Sequence, residues 1–401
     1  MGRGGVSRAV VLGLLALGAL GVLGVGVLSV SGGAGTRQGT FLPPHPVAGQ
    51  FRPDGTKLAD CSEQACFEQA FGNVAFRRGP RAAISAFERR ISEVEAGCHR
   101  IAHTIGAASL ARFRGNVART FAAGTSSCWS GYYHGVLERA LLAVRSHTRG
   151  ALANVARGLC DDSQVRAVPW LAHQCLHGLG HGLMLSTGYD LRLSLDVCRR
   201  LSREWDAEAC KGGAFMENVN PMSGGQSRWL RDDDPLYPCS AVETADRYEC
   251  YKRATTRILA VIGFDWERVA KVCASLGEKW APACFTSYGR DVSAQNGRSP
   301  AEITRLCTLV RPYGAERRCI AAAAMDITSN YARGAPAAVL CRSLLPSLRG
   351  GCFHALGFVM GRFRATPAER EADCRKVGSD RRDVAACVRG SRLGGRMVVV
   401  T

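Results

Sequence analysis

Missing from these 401 residues is every short signature that marks a common enzyme class. There is no HExxH of a zinc protease, no GxSxG nucleophile elbow, no GxxxxGK[ST] phosphate loop and no CxxCH for haem attachment. No CxxC pair occurs either, so the close spacing that thiolate zinc sites use is lacking. Aromatic residues are sparse at 7%, and none interleave with a basic stripe. The net charge of +18 therefore reads as a scattered, solvated excess. It suits a protein partner or an anionic polymer and argues against nucleic acid. Runs alternating apolar with polar residues are lacking and β-branched clusters are few, which excludes a fold built on sheets.

What the chain has in excess is cysteine, 18 residues and an even count. Reducing cytosol would leave most of them idle, whereas an oxidising compartment turns them into cross-links with no reactive thiol left over. The N-terminus points the same way. Arg3 and Arg8 precede Ala9 to Val30, a stretch without one charge. At about 1.5 Å per helical residue it can cross a hydrocarbon core of roughly 30 Å. A cleaved signal peptide has a shorter apolar region, although Ser29 to Gly35 offers a weak cleavage site. The basic residues stay inside, so the bulk of the chain lies outside. The expected organisation is a cytoplasmic start (1–8) and a single-pass transmembrane signal anchor (9–30). A Pro/Gly-containing linker (31–57), a His-rich helical region (58–190) and Cys-paired helical repeats (191–401) follow.

From Cys160 onward the cysteines come in spaced pairs: Cys160/Cys175, Cys198/Cys210, Cys239/Cys250, Cys273/Cys284, Cys307/Cys319, Cys341/Cys352 and Cys374/Cys387. Their first members recur with a period near 34 residues, the mark of a stacked supersecondary unit. In each unit a short helical segment ends in cysteine, and a second cysteine lies near the start of another helix. A disulfide closing a loop of about fifteen residues contributes roughly 3 kcal/mol in the chain-entropy model. That permits short helices and few aromatics. In period, helix-pair grammar and cysteine pairing, residues 160 to 390 resemble the tetratricopeptide and Sel1-like repeats, including bacterial members with one disulfide per repeat. The resemblance implies an all-α, α/α solenoid whose concave face binds a peptide or partner domain. The pairing of Cys61, Cys66, Cys98 and Cys128 has three solutions, and the sequence does not choose among them.

Six of the nine histidines fall in three motifs, CHRIAHTIG, CWSGYYHGVLE and HQCLHGLGHGLM. His99 and His103 are four apart, as are His173, His177 and His181, and on a helix that spacing stacks imidazoles along one face. Imidazole suits zinc, copper and iron, and an added carboxylate extends the choice to catalytic centres. The expected ligands are His99, His103, His134, His177 and His181, with His173 as an outer ligand and Glu138 or Glu217 as ligand or general base. Counted from the helix-opening cysteines, His134 and His181 share a column with Met216, Thr256, Arg290 and Met325. The next column holds Glu217, Asp291 and Asp326. Gly131, Gly178 and Gly213 lie one turn earlier, which calls for close helix contact or a ligand at the backbone. Tyr132 and Tyr133 either supply phenol groups near the site or pack as aromatic core, and core packing has at least equal claim. Two functions follow from these residues: a metal-dependent enzyme or metal-handling protein, or a tethered binding scaffold without catalysis.

Overall fold

Capping residues, prolines and glycines cut the chain into short helices. Side chains of Asn116, Thr148, Asp162, Asp190, Asp265, Ser299 and Thr366 each accept a backbone N–H at a helix start. Pro80, Pro169, Pro300, Pro346 and Pro367 occupy first turns, where a missing N–H costs nothing. The computed structural model describes residues 47–396 apart from 91–92, 95–96, 127, 129, 221–226, 296–298, 332 and 365. The expected anchor at 9–30, the cytoplasmic start and most of the linker lie outside these residues. Among the described residues there is no strand, and no helix is long and apolar enough to cross a membrane.

The first ten helices are α1 (Gln64–Arg78), α2 (Pro80–Arg89), α3 (Cys98–Arg112), α4 (Val117–Ala122), α5 (Gly131–Leu142), α6 (Arg149–Leu159), α7 (Ser163–Ala167), α8 (Pro169–Ser186), α9 (Leu191–Cys198) and α10 (Glu204–Val219). After them come α11 (Thr244–Tyr251), α12 (Ala254–Ile262), α13 (Trp266–Ala274), α14 (Gly277–Gln295), α15 (Pro300–Thr308), α16 (Glu316–Tyr331), α17 (Ala335–Ser343), α18 (Pro346–Met360), α19 (Pro367–Val377) and α20 (Arg381–Arg396). The longer helices form a row in which each packs on the next: α1 on α3, α3 on α5, α5 on α8 and α8 on α10. Helices α11 and α12 bridge α10 to α14, and α14, α16, α18 and α20 continue the row. The shorter α9, α13, α15, α17 and α19 each lie against the long helix that follows them.

Disulfides join the two kinds of helix. Cys198–Cys210, Cys273–Cys284, Cys307–Cys319, Cys341–Cys352 and Cys374–Cys387 each tie a short helix to its long partner. Cys160–Cys175 and Cys239–Cys250 complete the seven spaced pairs. The open question of the first four cysteines resolves as Cys61–Cys66 and Cys98–Cys128, and no thiol is left free. Nine cross-links fit an oxidising, extracellular or secreted environment.

The described residues belong to one compact unit, in which α8 of the His-rich region packs on α10 of the Cys-paired repeats. Val47 to Lys57, assigned to the linker, is a strap on the folded unit and not a free spacer. Phe51 is buried, Arg139 of α5 donates to its carbonyl at 2.8 Å, and Asn73 of α1 donates to Asp54 and to the Thr56 carbonyl. One buried aromatic ring outweighs the linker-like composition around it.

Candidate metal centre

The site is built where α3, α5 and α8 lie side by side, with α5 in the middle. Glycine allows the close approach. A Cβ on Gly135 would run into the His103 carbonyl, and one on Gly213 of α10 into the His177 carbonyl. The glycine column of the sequence is thus explained by helix crossing at Gly131 and Gly213, while Gly178 makes only ordinary contacts. Helix spacing then does the rest. His99 and His103 face α5 from one side, His177 and His181 face it from the other, and His134 projects from α5 between them. Ring centroids lie 5.4 and 5.3 Å from His134 to His99 and His103, and 5.6 and 4.3 Å to His177 and His181.

Two ligand triads result: His99, His103 and His134, and His134, His177 and His181. In each, one nitrogen per residue lies within 4.8 Å of the others. All five imidazoles are buried. So are Glu138 and Glu217, both with 0% exposure.

Hydrogen bonds to groups outside the cluster orient four of the five rings. His99 Nδ1 lies 2.7 Å from the Cys128 carbonyl, which can only accept, so Nδ1 carries the proton. His103 Nδ1 donates to Glu138 Oε1 at 2.5 Å, and His181 Nδ1 donates to Glu217 Oε2 at 2.8 Å. His177 hydrogen-bonds the backbone of Ala209. The Nε2 atoms of each pair then face one another, 2.8 Å apart for His103 and His99, and 3.3 Å apart for His181 and His177. Two bare lone pairs repel at such distances unless a cation lies between them. Burial, then the neighbouring imidazoles, hold His99, His134 and His177 well below the ordinary histidine range. His103 goes the other way: burial alone would lower it, but the Glu138 carboxylate, with Glu217 and Glu68, raises it. A proton shared by His103 and His99 is therefore the occupant a metal ion must displace.

The carboxylates thus stand behind the histidines, where they orient rings and raise their basicity. Glu138 and Glu217, expected as ligand or general base, each spend one oxygen on an Nδ1, while the second oxygen of Glu138 has no hydrogen-bond partner. Sequence reasoning missed Tyr189, whose hydroxyl donates to the second Glu217 oxygen at 2.9 Å from a left-handed backbone (φ 61°). It also missed the pairing itself. Glu138 follows His103 by 35 positions and Glu217 follows His181 by 36, close to one repeat, which was the signal available.

The remaining candidates fall elsewhere. His173 belongs to neither triad; its ring stacks on His177 at 5.6 Å, and burial followed by Arg362, Arg253 and Lys252 pushes its pKa down. Tyr132 donates to the Thr120 carbonyl at 2.9 Å and Tyr133 packs on Phe121, so both are core residues. Farther along the column, Asp291 accepts from Thr255 and Thr256, and Asp326 accepts from Ser293 and Asn330. These acids tie neighbouring helices together.

No protein-family model, curated protein or solved structure matches the chain. The likeness to tetratricopeptide and Sel1-like repeats is accordingly one of period and helix grammar.

Proposed function

We propose that this chain is a helical solenoid, tethered outside the membrane by Ala9 to Val30, whose first repeats hold a transition-metal centre. Zinc, copper and iron are the ions that imidazole donors suit. The observation that carries the reading is the orientation of the rings: Nδ1 atoms donate outward to Cys128, Glu138 and Glu217, and Nε2 atoms turn inward in pairs. Each inward pair converges on one position that a proton or a metal ion can fill, and His134 between them has neither nitrogen hydrogen-bonded.

Three imidazoles per ion position leave a coordination site for water or a small ligand, the pattern of ions that do chemistry and not of closed structural ones. The bound ion would act as a Lewis acid or redox centre, and the protein as metal-dependent enzyme or metal-handling protein. The chain's own part is to keep the centre dry, fix each ring in its metal-binding tautomer, and supply negative charge from Glu138 and Glu217.

The test is elemental analysis of the full chain made without a polyhistidine tag. Stoichiometric zinc, copper or iron, lost in a His134→Ala, His181→Ala double variant, supports the reading. Metal well below one per chain, unchanged by that substitution, would leave the histidines as packing residues and favour the tethered scaffold for a peptide or anionic wall polymer.

A further inference from the structure

Building on the metal reading, we infer that the centre is dinuclear, with the imidazole ring of His134 bridging two transition-metal ions. His134 belongs to both triads, which by itself is compatible with one ion moving between two positions. The hydrogen bonding decides against that. His134 is 3% exposed, and neither its Nδ1 nor its Nε2 has a hydrogen-bond partner. The other four ligand histidines each direct one nitrogen to an acceptor outside the centre. A single ion would satisfy one His134 nitrogen and strand the other, at a cost that buried polar atoms seldom bear. It would also leave one histidine pair without an ion between its Nε2 atoms.

Two ions remove every one of these deficits. One takes His99 Nε2, His103 Nε2 and a His134 nitrogen; the other takes His177 Nε2, His181 Nε2 and the opposite His134 nitrogen. Each half then has its own carboxylate behind it, Glu138 for the first and Glu217 for the second. The proton balance is simple. Neutral His134 carries one N–H, and the first ion binds the bare nitrogen. The second ion displaces the N–H proton to solvent, leaving an imidazolate that gives one electron pair to each metal. Charge is largely offset: two divalent ions face two buried carboxylates and one imidazolate, which leaves one positive charge for an anionic ligand such as hydroxide. The ions would sit about 6 Å apart, the span of two metal–nitrogen bonds near 2.0–2.1 Å plus the ring between them.

The test uses copper(II) on the full, disulfide-bonded chain. Two coppers should bind per chain, and the electron paramagnetic resonance signal should count far fewer spins than total copper, because a bridging imidazolate couples the pair antiferromagnetically. Acid release should restore the full count. In His134→Ala any remaining copper should be fully visible. His99→Ala, which spares the bridge residue, should bind one copper with an ordinary isolated signal. Two fully visible coppers in the natural chain would overturn the bridge, and one copper per chain would overturn the dinuclear centre while leaving a mononuclear site. No bound copper, zinc or iron at all would sink both this inference and the metal reading beneath it.

Discussion

Replacing Glu217 separates a role in orienting a ligand from a role in holding the fold. Its two oxygens accept from His181 Nδ1 at 2.8 Å and from Tyr189 at 2.9 Å, in a position with no solvent exposure. Glu217→Gln keeps shape and acceptor but removes the charge. Loss of an outer partner typically costs about 10–100-fold in metal affinity, or about 1.4–2.7 kcal/mol. The metal-free fold should change by no more than about 1 kcal/mol, since the glutamine oxygen can accept from His181 Nδ1 while its NH2 donates to the Tyr189 hydroxyl, which turns to accept. Glu217→Ala is different: it strands the His181 N–H and the Tyr189 hydroxyl, at about 1–3 kcal/mol each. Thermal unfolding of the metal-free protein should therefore rank natural chain and Gln variant together and the Ala variant well below. Competition of a chelator for zinc(II) should rank the natural chain alone at the top. The reasoning fails if the Gln variant binds zinc as tightly as the natural chain, or if both variants unfold alike.

Two further outcomes are expected. The Asn73 amide, ahead of other partners, holds the Asp54 carboxyl down at about 2, against an ordinary carboxylate near 4. A depressed pKa means that this contact stabilises above pH 4 and is lost as pH falls toward 2. Because Asp54 is exposed the effect is at most about 1 kcal/mol, and Asn73→Ala should flatten that limb of a stability–pH curve measured by thermal unfolding. Gly135→Ala should cost about 1–3 kcal/mol by forcing α3 from α5, and it should reduce bound metal as well. Gly350→Ala, where a Cβ meets nothing within 4 Å, should instead raise stability by about 0.5–1 kcal/mol with metal content unchanged.

Helices, disulfide spacing and the five imidazoles could be read from the chain because each rests on local spacing. Four residues on a helix put His99 with His103, and eleven to fifteen residues put each repeat cysteine with its mate. What resisted reading depends on contacts between helices. Glu138 reaches His103 only after α5 crosses α3, and no local pattern separates an acid that binds metal from one that holds a histidine. Tyr132 and Tyr133 left two roles open, phenol donor or core, and the structure shows the core, since residues next to His134 on a helix point to other faces. Phe51 was hidden by its prolines. The Cys98–Cys128 link needed the fold, since three pairings were open.

That link also sets a chronology. Cys98 opens α3 one residue before His99, and Cys128 offers its carbonyl to the His99 ring. Until the two sulfurs join, neither the loop nor the ring tautomer is held. Eighteen free thiolates would meanwhile compete for the same soft ions at the wrong addresses. If the histidines hold a metal, oxidation should precede loading: the chain would become selective for histidine coordination once its cysteines are spent.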